Sequence, residues 1–329
     1  MGPLKVADCG RRVNRGLALR LSPGIMGAVA ISDHLIRAIY QEQHLRVVCA
    51  VTTELVADAA KRHELGPAGT VALGRALTSG LLLATLTKGE ERVSVQLVGD
   101  GPLGSITVDA NAKGEARGYV LHPQAGPSGV TGRGQVAEAL GRHGVVNVLR
   151  DLGLKELYQG QVALTTGEID EDVEGYLRLS EQVPSALGCE VVLDEQGGVV
   201  ASAGALVQAL PGGDFESVRE MQHGLRTGAL YDLLVGGERS AAELAKRVFS
   251  GLVLDVVGEP RAVRFQCTCS QERIGDMLQL LSTVDLDEMI AENRPAEITC
   301  NFCNTTYQVG RGDLETIRDR IAGGPRESN

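Results

Sequence analysis

The fold of this chain is decided by two stretches near its end, Phe265-Gln-Cys267-Thr-Cys269-Ser270 and Ile298-Thr-Cys300-Asn-Phe-Cys303. Each stretch holds a close pair of cysteines. Four thiolates brought together make a complete tetrahedral site for zinc, and two close pairs in one small domain are typical of structural zinc sites. The sequence therefore predicts one Zn²⁺ ion held by all four cysteines.

The energetics of such a site concern the whole C-terminal region. A domain of about 70 residues, here residues 258–329, buries barely enough apolar surface to fold alone. A structural zinc contributes roughly 10–16 kcal/mol of apparent binding energy, which exceeds the ~5–15 kcal/mol total stability of a typical domain. We therefore expect this region, the cysteine domain, to fold only while its metal is bound.

The spacing of the cysteines also suggests how the metal could be lost. Cys300 and Cys303 can meet at ordinary disulfide geometry, whereas Cys267 and Cys269 approach the upper limit of Cα separation when extended. A disulfide between the latter two should be strained and easily reduced. The hypothesis is that oxidation releases zinc and that a reductant restores it.

The composition of the 329 residues limits the classes of partner and the location. Hydrophobic residues make up 43%, enough for a sizeable core, and the net charge is -10. This charge argues against nucleic acid and anionic membranes as main partners. No apolar run approaches the ~20 residues of a membrane span, and no signal peptide is evident. We therefore expect a cytoplasmic protein.

Four segments of the chain differ in pattern. Residues 1–31 are predicted to be a disordered leader. Residues 32–211, the core domain, combine strand-like alternation with interspersed helices. Residues 212–257 contain short helices interrupted by glycine, which are marginal alone, and they predict a linker that folds by docking. The predicted fold class is α+β, with a mixed sheet-and-helix N-terminal domain, a helical linker and a small C-terminal zinc-binding redox domain.

Local patterns predict individual elements of the core domain. Ser32 can cap a short helix through Ile39, Leu45 to Val51 indicates a strand, and helices follow at about 53–65 and 69–87. The second helix carries an apolar face from Leu73 to Leu86. We interpret this face as core, or as a surface that is covered only part of the time.

The sequence has no convincing nucleotide-binding or catalytic signature. Gly99-Asp-Gly-Pro-Leu-Gly104 fits GxGxxG, but a strand pattern follows it where a dinucleotide site needs a helix, so a hairpin turn is expected. A phosphate loop and a Cys/His pair are both missing, and we expect neither a nucleotide cofactor nor an enzyme. Cys49 and Cys189 are interpreted as small buried hydrophobes. Cys9, in the leader, gives no signal.

In their sequence setting, the cysteine pairs resemble the zinc signature of the redox-regulated chaperone family, heat-shock protein thirty-three. The matching stretches run from Phe265 to Arg273 and from Ile298 to Tyr307. Further matches lie upstream in the same order, at Gln96-Leu-Val-Gly-Asp-Gly-Pro-Leu-Gly104, Ser180-Glu-Gln-Val-Pro184 and Gly204-Ala-Leu-Val-Gln-Ala-Leu-Pro-Gly212. The similarity spans about 32 to 310 and does not include the leader.

The resemblance implies a holdase chaperone that needs no ATP. Cys267, Cys269, Cys300 and Cys303 would be both zinc ligands and redox sensors. Oxidants would form the disulfides Cys267–Cys269 and Cys300–Cys303, release zinc, and unfold the cysteine domain and the linker. The apolar surface exposed in this way would capture proteins that unfold through heat or oxidation, and the active form would be a homodimer.

Two other functions compete with this one. A zinc ribbon that binds nucleic acid is disfavoured, because acidic residues outnumber arginines between the cysteine pairs and four thiolates add negative charge. A thiol–disulfide oxidoreductase would use a thiol of low pKa at a helix N-terminus, whereas Cys300 follows a strand-like run. Both functions remain alternatives at the level of sequence.

Overall fold

The structure is a computed structural model that describes residues 32–87, 91–129, 135–151, 157–249, 253–292 and 294–322. Residues from Ser32 onward belong to one compact unit. The predicted leader, with Cys9, lies outside the described residues. The predicted α+β fold class is confirmed, while the domain boundaries at 211/212 and 257/258 stay predictions.

Strands and helices alternate irregularly along the chain. The strands are β1 (His34–Tyr40), β2 (Leu45–Val51), β3 (Arg92–Gly99), β4 (Ser105–Asn111), β5 (Glu115–Val120), β6 (Gly144–Asp151), β7 (Tyr158–Ala163), β8 (Ser185–Leu193), β9 (Val199–Ala209), β10 (Asp255–Val256), β11 (Arg261–Ala262), β12 (Arg264–Phe265), β13 (Ala296–Thr299) and β14 (Thr306–Val309). The helices are α1 (Thr53–His63), α2 (Pro67–Ala84), α3 (Gln135–Leu140), α4 (Ile169–Leu179), α5 (Phe215–Arg226), α6 (Ala229–Val235), α7 (Ala241–Val248), α8 (Gln271–Leu278), α9 (Thr283–Ala291) and α10 (Arg311–Ala322).

Two sheets are built mainly from the core domain, and residues beyond 211 add the short edge strands β10, β11 and β12. The first has the order β10-β1-β2-β9-β8, with β11 also pairing with β1, and the second has the order β12-β5-β4-β3-β6-β7. Both sheets consist of antiparallel pairs apart from β12, which runs parallel to β5. Strands β3 and β4 pair directly on either side of Gly99–Gly104, so this glycine-rich stretch is a hairpin turn, as predicted.

Helix α2 lies between the two sheets and is buried from Ala68 to Ala84. Glycines let the neighbours come close. A Cβ added at Gly74 would lie 2.7 Å from Val56 in α1 and 2.8 Å from Val191 in β8, closer than real Cβ contacts. The apolar face from Leu73 to Leu86 is therefore core in this structure, and its described helix has no side that faces solvent.

The helix predicted from Ser32 to Ile39 is wrong, because residues 34–40 form strand β1. This strand pairs with β2 along its whole length, from His34 opposite Val51 to Tyr40 opposite Leu45. Leu35 and Ile36 are buried on opposite faces of the sheet. Burial of β-branched and aromatic side chains against a partner strand outweighed the local capping signal.

The linker helices α5, α6 and α7 cover the outer face of the first sheet. Alternate residues of a strand point to opposite faces: in β2, Val48 and Ala50 face the core around α2, while Val47 and Cys49 join a second cluster with the linker. The linker contributes buried apolar side chains to that cluster, namely Val218, Leu225, Leu230, Leu234, Ala241, Leu244, Ala245 and Phe249. The docked arrangement agrees with the predicted helical linker.

The cysteine domain packs α8, α9 and α10 beside the β13–β14 hairpin. Its apolar cluster is small and consists of Ile274, Leu278, Leu286, Ile290, Val309, Leu314 and Ile317. Among the described residues, no helix combines the length and apolar character that crossing a membrane requires.

Candidate metal centre

The first cysteine pair lies in the segment between β12 and α8, outside any helix or strand. The Cys269 amide donates to the Cys267 sulfur, and the sulfurs of both residues lie in one cluster. The segment ends at Ser270, whose hydroxyl caps α8 by accepting a hydrogen bond from the Arg273 amide at 3.2 Å.

The second pair lies in a tight turn that joins β13 to β14. The Cys300 amide donates to the Thr305 carbonyl at 3.0 Å, and the Asn304 amide donates to the Cys300 carbonyl at 2.8 Å. Asn304 closes the turn with a φ of 57°, a left-handed conformation that asparagine tolerates better than most residues. The turn brings Cys303 back beside Cys300.

The four sulfurs form one cluster. Their Sγ atoms all lie within 4.8 Å of one another. The distance is 3.8 Å from Cys267 to Cys300 and 3.3 Å from Cys269 to Cys303. A tetrahedral zinc with Zn–S bonds of ~2.3 Å places its sulfurs about 3.8 Å apart. The cluster therefore fits a Zn²⁺ ion, which would complete its coordination with these four thiolates and leave no open position.

Two hydrogen-bond donors approach the sulfurs. Arg117 Nη1 lies 3.4 Å from Cys267 Sγ, and the Tyr307 hydroxyl lies 3.0 Å from Cys269 Sγ. Burial acts to raise the pKa of Cys267, but the Cys269 amide and the Arg117 guanidinium outweigh it and hold this pKa at about 7. Burial raises the pKa of Cys269 to about 12. Donors of this kind orient the ligands and stabilise thiolate charge.

The turn of the second pair docks onto the core domain through Phe302. The Arg117 guanidinium lies 4.0 Å from the centre of the Phe302 ring, and the Tyr119 ring meets it edge-on at 5.3 Å. His63 Nε2 lies 3.1 Å from the Phe302 carbonyl oxygen. The Asn304 side chain donates to the Arg62 carbonyl at 2.9 Å. The metal centre is thus in direct contact with α1 and β5.

The structure brings together the four cysteines that the sequence singles out, although their roles as ligands and as redox pairs stay predictions. Cys49 and Cys189 are fully buried in the core domain. Burial raises the pKa of Cys49 to about 12, and burial also raises the pKa of Cys189. Both thiols are therefore poor nucleophiles, as expected of small buried hydrophobes.

Sequence reasoning missed the core residues that contact the centre. Arg117 is 150 positions from Cys267, and His63 is 239 positions from Phe302. No histidine is adjacent to the cysteine pairs in the sequence, so the contact of His63 with Phe302 has no local signal. The one local signal is Phe302, an aromatic residue between Cys300 and Cys303. In a turn, such a side chain can project outward and pack on another part of the protein.

Comparison with known proteins gives a consistent result. A profile described as Hsp33 protein matches residues 33–310. The "33 kDa chaperonin" of Desulforamulus reducens is 39% identical over 292 residues, covering 88% of this chain and 99% of that protein. The protein of the same name from Geobacter sulfurreducens is 39% identical over 291 residues, covering 88% of this chain and 96% of that protein.

A solved structure agrees with these relatives. The crystal structure of the 33 kDa chaperonin from Thermotoga maritima superposes with a TM-score of 0.78 at 29% identity, and the match covers 88% of this chain and 99% of that chain. The family profile and the relatives thus extend over both the core domain and the cysteine pairs, and we conclude that this chain belongs to the Hsp33 family.

Proposed function

We propose that the protein is a redox-regulated holdase chaperone that works without ATP in the cytoplasm. Its relatives carry the name 33 kDa chaperonin, and this supports a chaperone function. The observation that carries the redox part is the position of the four-thiol cluster, in a domain with little apolar core, at the end of a linker docked on an apolar sheet.

The switch begins with the sulfurs. Each disulfide forms when two thiolates lose two electrons to an oxidant. For Cys267–Cys269 and Cys300–Cys303 together, two molecules of hydrogen peroxide accept the four electrons with four protons and become four molecules of water. A disulfide carries no thiolate charge, so the oxidised cysteines no longer hold a metal ion. Reductant returns the electrons and regenerates the ligands.

Loss of the ligands removes the main source of order in the cysteine domain. Its small cluster cannot replace the roughly 10–16 kcal/mol of a structural zinc. The contacts of Phe302 with Arg117 and Tyr119 are then lost. The linker helices are short, and helices of this length are unstable unless they pack, so they detach when the chain that follows them is released.

Detachment of the linker uncovers the outer face of the first sheet. This face is apolar, with Val47, Val51, Ala203, Ala205 and Val207 among its buried members. An exposed apolar surface of this kind binds the apolar segments of unfolding proteins. The proposed client surface is therefore this sheet face and not the α2 helix, which stays enclosed.

The other parts of the proposal follow from the same scheme. The oxidised protein is expected to act as a homodimer, to need no nucleotide and to carry out no catalysis. Nucleic acid is not an expected partner, since the chain has a net charge of -10. Cys300 follows strand β13 and does not begin a helix, which disfavours a thiol–disulfide oxidoreductase.

The test compares two states of the full chain. Zinc-loaded reduced protein and oxidised protein are each added to a thermally unfolding test protein, and aggregation is followed by light scattering. We expect suppression only by the oxidised form, with release of one zinc per chain and dimerisation in sedimentation. The Cys189→Ala variant, altered at a buried thiol of the core around α2, should switch in the same way. Equal suppression by both states would contradict the proposal.

A further inference from the structure

A segment at the junction of the linker and the first cysteine pair runs along the edges of both sheets. We name residues 253–266 the strap. Strands β10 and β11 of the strap pair with β1, and β12 pairs with β5. Besides the bonds within these ladders, four strap amides donate to core carbonyls: Val257 to Arg37 at 2.7 Å, Val263 to Asp33 at 2.9 Å, Arg264 to Gly114 at 3.0 Å and Gln266 to Ala116 at 2.9 Å.

Some side chains of the strap are exposed and others pack on the core domain: Phe265 contacts the core cluster and lies under the Arg62 guanidinium, and Arg264 pairs with Glu115. The strands of the strap have two residues each, too short to be stable alone. Val253 and Val256 are 75% and 50% exposed, while Val263 is buried. The chain on either side of the strap is anchored as well, by Phe249 in the linker cluster and by Cys267 in the four-sulfur cluster. Both anchors belong to the parts that the proposed switch releases.

The opposite edge of the first sheet is closed in a different way. There the Leu187 amide of β8 donates to Glu174 Oε2 at 2.9 Å, and the Cys189 amide donates to Asp170 Oδ2 at 3.2 Å. Both carboxylates come from helix α4 of the core domain and are buried. The β8 edge is thus capped permanently by side chains, whereas the β1 edge is capped by a piece of main chain that can leave.

We infer that the edges of β1 and β5, once the strap has left, bind an extended segment of an unfolding polypeptide by adding it as a new strand. This inference rests on the proposed function, because release of the strap requires the switch. The strap itself, an extended peptide seated on both edges, is the precedent for the occupant. Main-chain hydrogen bonds are the same for every sequence, which suits a protein that must bind many unfolded chains.

The first experiment uses the strap as a probe. A fluorescent peptide of residues 253–266 is titrated against oxidised and against reduced full-length protein. A matched peptide is N-methylated at Val257, Val263, Arg264 and Gln266, which removes these four donors and keeps every side chain. We expect binding to the oxidised protein alone, and at least tenfold weaker binding of the methylated peptide, since each net hydrogen bond contributes about 1 kcal/mol. Equal affinities of the two peptides would overturn the inference.

The second experiment maps a bound client. The Arg37 carbonyl faces the strap, and in an antiparallel strand the amide of the same residue faces the same way, whereas the Ala38 amide faces β2. Amide exchange is measured on oxidised protein with and without carboxymethylated α-lactalbumin, a permanently unfolded probe. We expect at least tenfold slower exchange at Arg37 on addition of the probe and no change at Ala38.

The outcomes separate this inference from the function on which it depends. Oxidised protein that suppresses aggregation and binds the probe while Arg37 keeps exchanging freely would overturn edge binding and leave the chaperone proposal intact. Oxidised protein that fails to suppress aggregation would overturn both.

Discussion

In the core domain, helix α2 is enclosed by two sheets, whereas the cysteine domain packs three short helices beside one hairpin. Every α2 residue from Ala68 to Ala84 is buried. In the cysteine domain, by contrast, Met277, Leu280 and Val284 are 62%, 86% and 64% exposed. The apolar side chains of α2 are buried throughout. The cysteine domain leaves several apolar side chains exposed to water and brings four sulfurs together.

If the proposed switch operates, this difference explains how one chain keeps a stable part beside a part that unfolds on a chemical signal. Burial of apolar surface does not depend on oxidants. Metal ligation by cysteine does depend on oxidants, because only the reduced thiolate binds the metal. In the proposed switch, an oxidant acts on the cysteine domain and on the linker next to it, and it leaves the sheets around α2 intact. The predictions below test this division, beginning with the largest expected effect.

Replacing one ligand should unfold the cysteine domain alone. In Cys303→Ser we expect the zinc content to fall from one per chain towards zero, and amides from 267 to 322 to exchange freely, because a contribution of roughly 10–16 kcal/mol is lost. Exchange in α2 should not change. The Cys189→Ala control, at a buried thiol of the core around α2, should keep its zinc. A Cys303→Ser protein whose cysteine domain stays protected would show that apolar packing suffices there.

Removing a buried cation should destabilise the core domain and spare the metal centre. Arg75, in α2, pairs with Glu168 and Asp170 in a fully buried cluster. In Arg75→Leu we expect the free energy of unfolding of the core domain, measured by urea titration, to fall by about 3–5 kcal/mol, because two buried carboxylates lose their cation. The control is Arg219, which forms an exposed ion pair with Glu216. Arg219→Leu should change the free energy of unfolding by less than about 1 kcal/mol. Loss of zinc from Arg75→Leu would contradict the division between the domains.

Weakening the linker should activate the protein without oxidant. Leu244 in α7 is fully buried against the first sheet, and Leu244→Ala should weaken docking by about 2–5 kcal/mol. We expect the reduced, zinc-loaded variant to suppress aggregation partially and to be cleaved faster by protease within residues 215–248. The Val235→Ala control, at a position 60% exposed, should behave like the parent. If the reduced Leu244→Ala variant behaves like the parent in both assays, docking of the linker does not control chaperone activity.

Loss of the Phe302 side chain should weaken the contact between the cysteine domain and the core domain, with a smaller effect than the substitutions above. Its edge-on contact with Tyr119 and its cation–π contact with Arg117 are together worth about 1–2 kcal/mol. In Phe302→Ala we therefore expect zinc release under peroxide to be about five- to thirtyfold faster, measured with a chromogenic chelator. Phe302→Tyr keeps the ring and should release zinc at nearly the parent rate. Identical rates in both variants would mean that docking does not restrain the centre.

The sequence predicted the parts of this division that depend on neighbouring residues. Strand β2, the hairpin turn after Gly99 and the four sulfurs all follow from local pattern, since alternation, glycine turns and close cysteine spacing act over a few positions. The capping signal at Ser32 predicts a helix where the structure has strand β1, although only four residues separate β1 from its partner β2, because burial of both strands in the sheet decides the conformation. The periodicity of α2 revealed an apolar helix, but only the two sheets could show that all its sides are covered.

The docking of the metal centre could not be read from the sequence for a related reason. The sequence around Arg117 in β5 contains no metal-site motif. Arg117 contacts Cys267 because β12 pairs with β5 and brings the first cysteine pair alongside it. The strap shows the same limit, since two-residue strands carry almost no pattern of their own. Contacts between segments distant in sequence depend on how the sheets assemble, and short sequence patterns do not predict them.

The smallest predicted effect concerns protons and the core domain. Asp33 is buried beside β1 and accepts a hydrogen bond from the Leu55 amide at 2.7 Å. Burial raises its pKa from 3.8 to about 6, so the folded state binds the proton more tightly than the unfolded state. This contribution to stability is fully present below the unfolded pKa and is lost as the pH rises through about 6.

Asp33→Asn removes this titration while keeping the shape of the side chain. Between pH 7 and pH 5 we expect the parent to gain about 1 kcal/mol relative to the variant, since one pKa unit corresponds to ~1.4 kcal/mol. Urea titrations of both proteins at the two pH values measure the difference, in which other carboxylates cancel. Parallel stability curves would mean that the Leu55 amide offsets burial and that the carboxylate stays charged in the fold. Either result leaves the zinc content unchanged, because Asp33 belongs to the part of the molecule that burial, and not ligation, holds together.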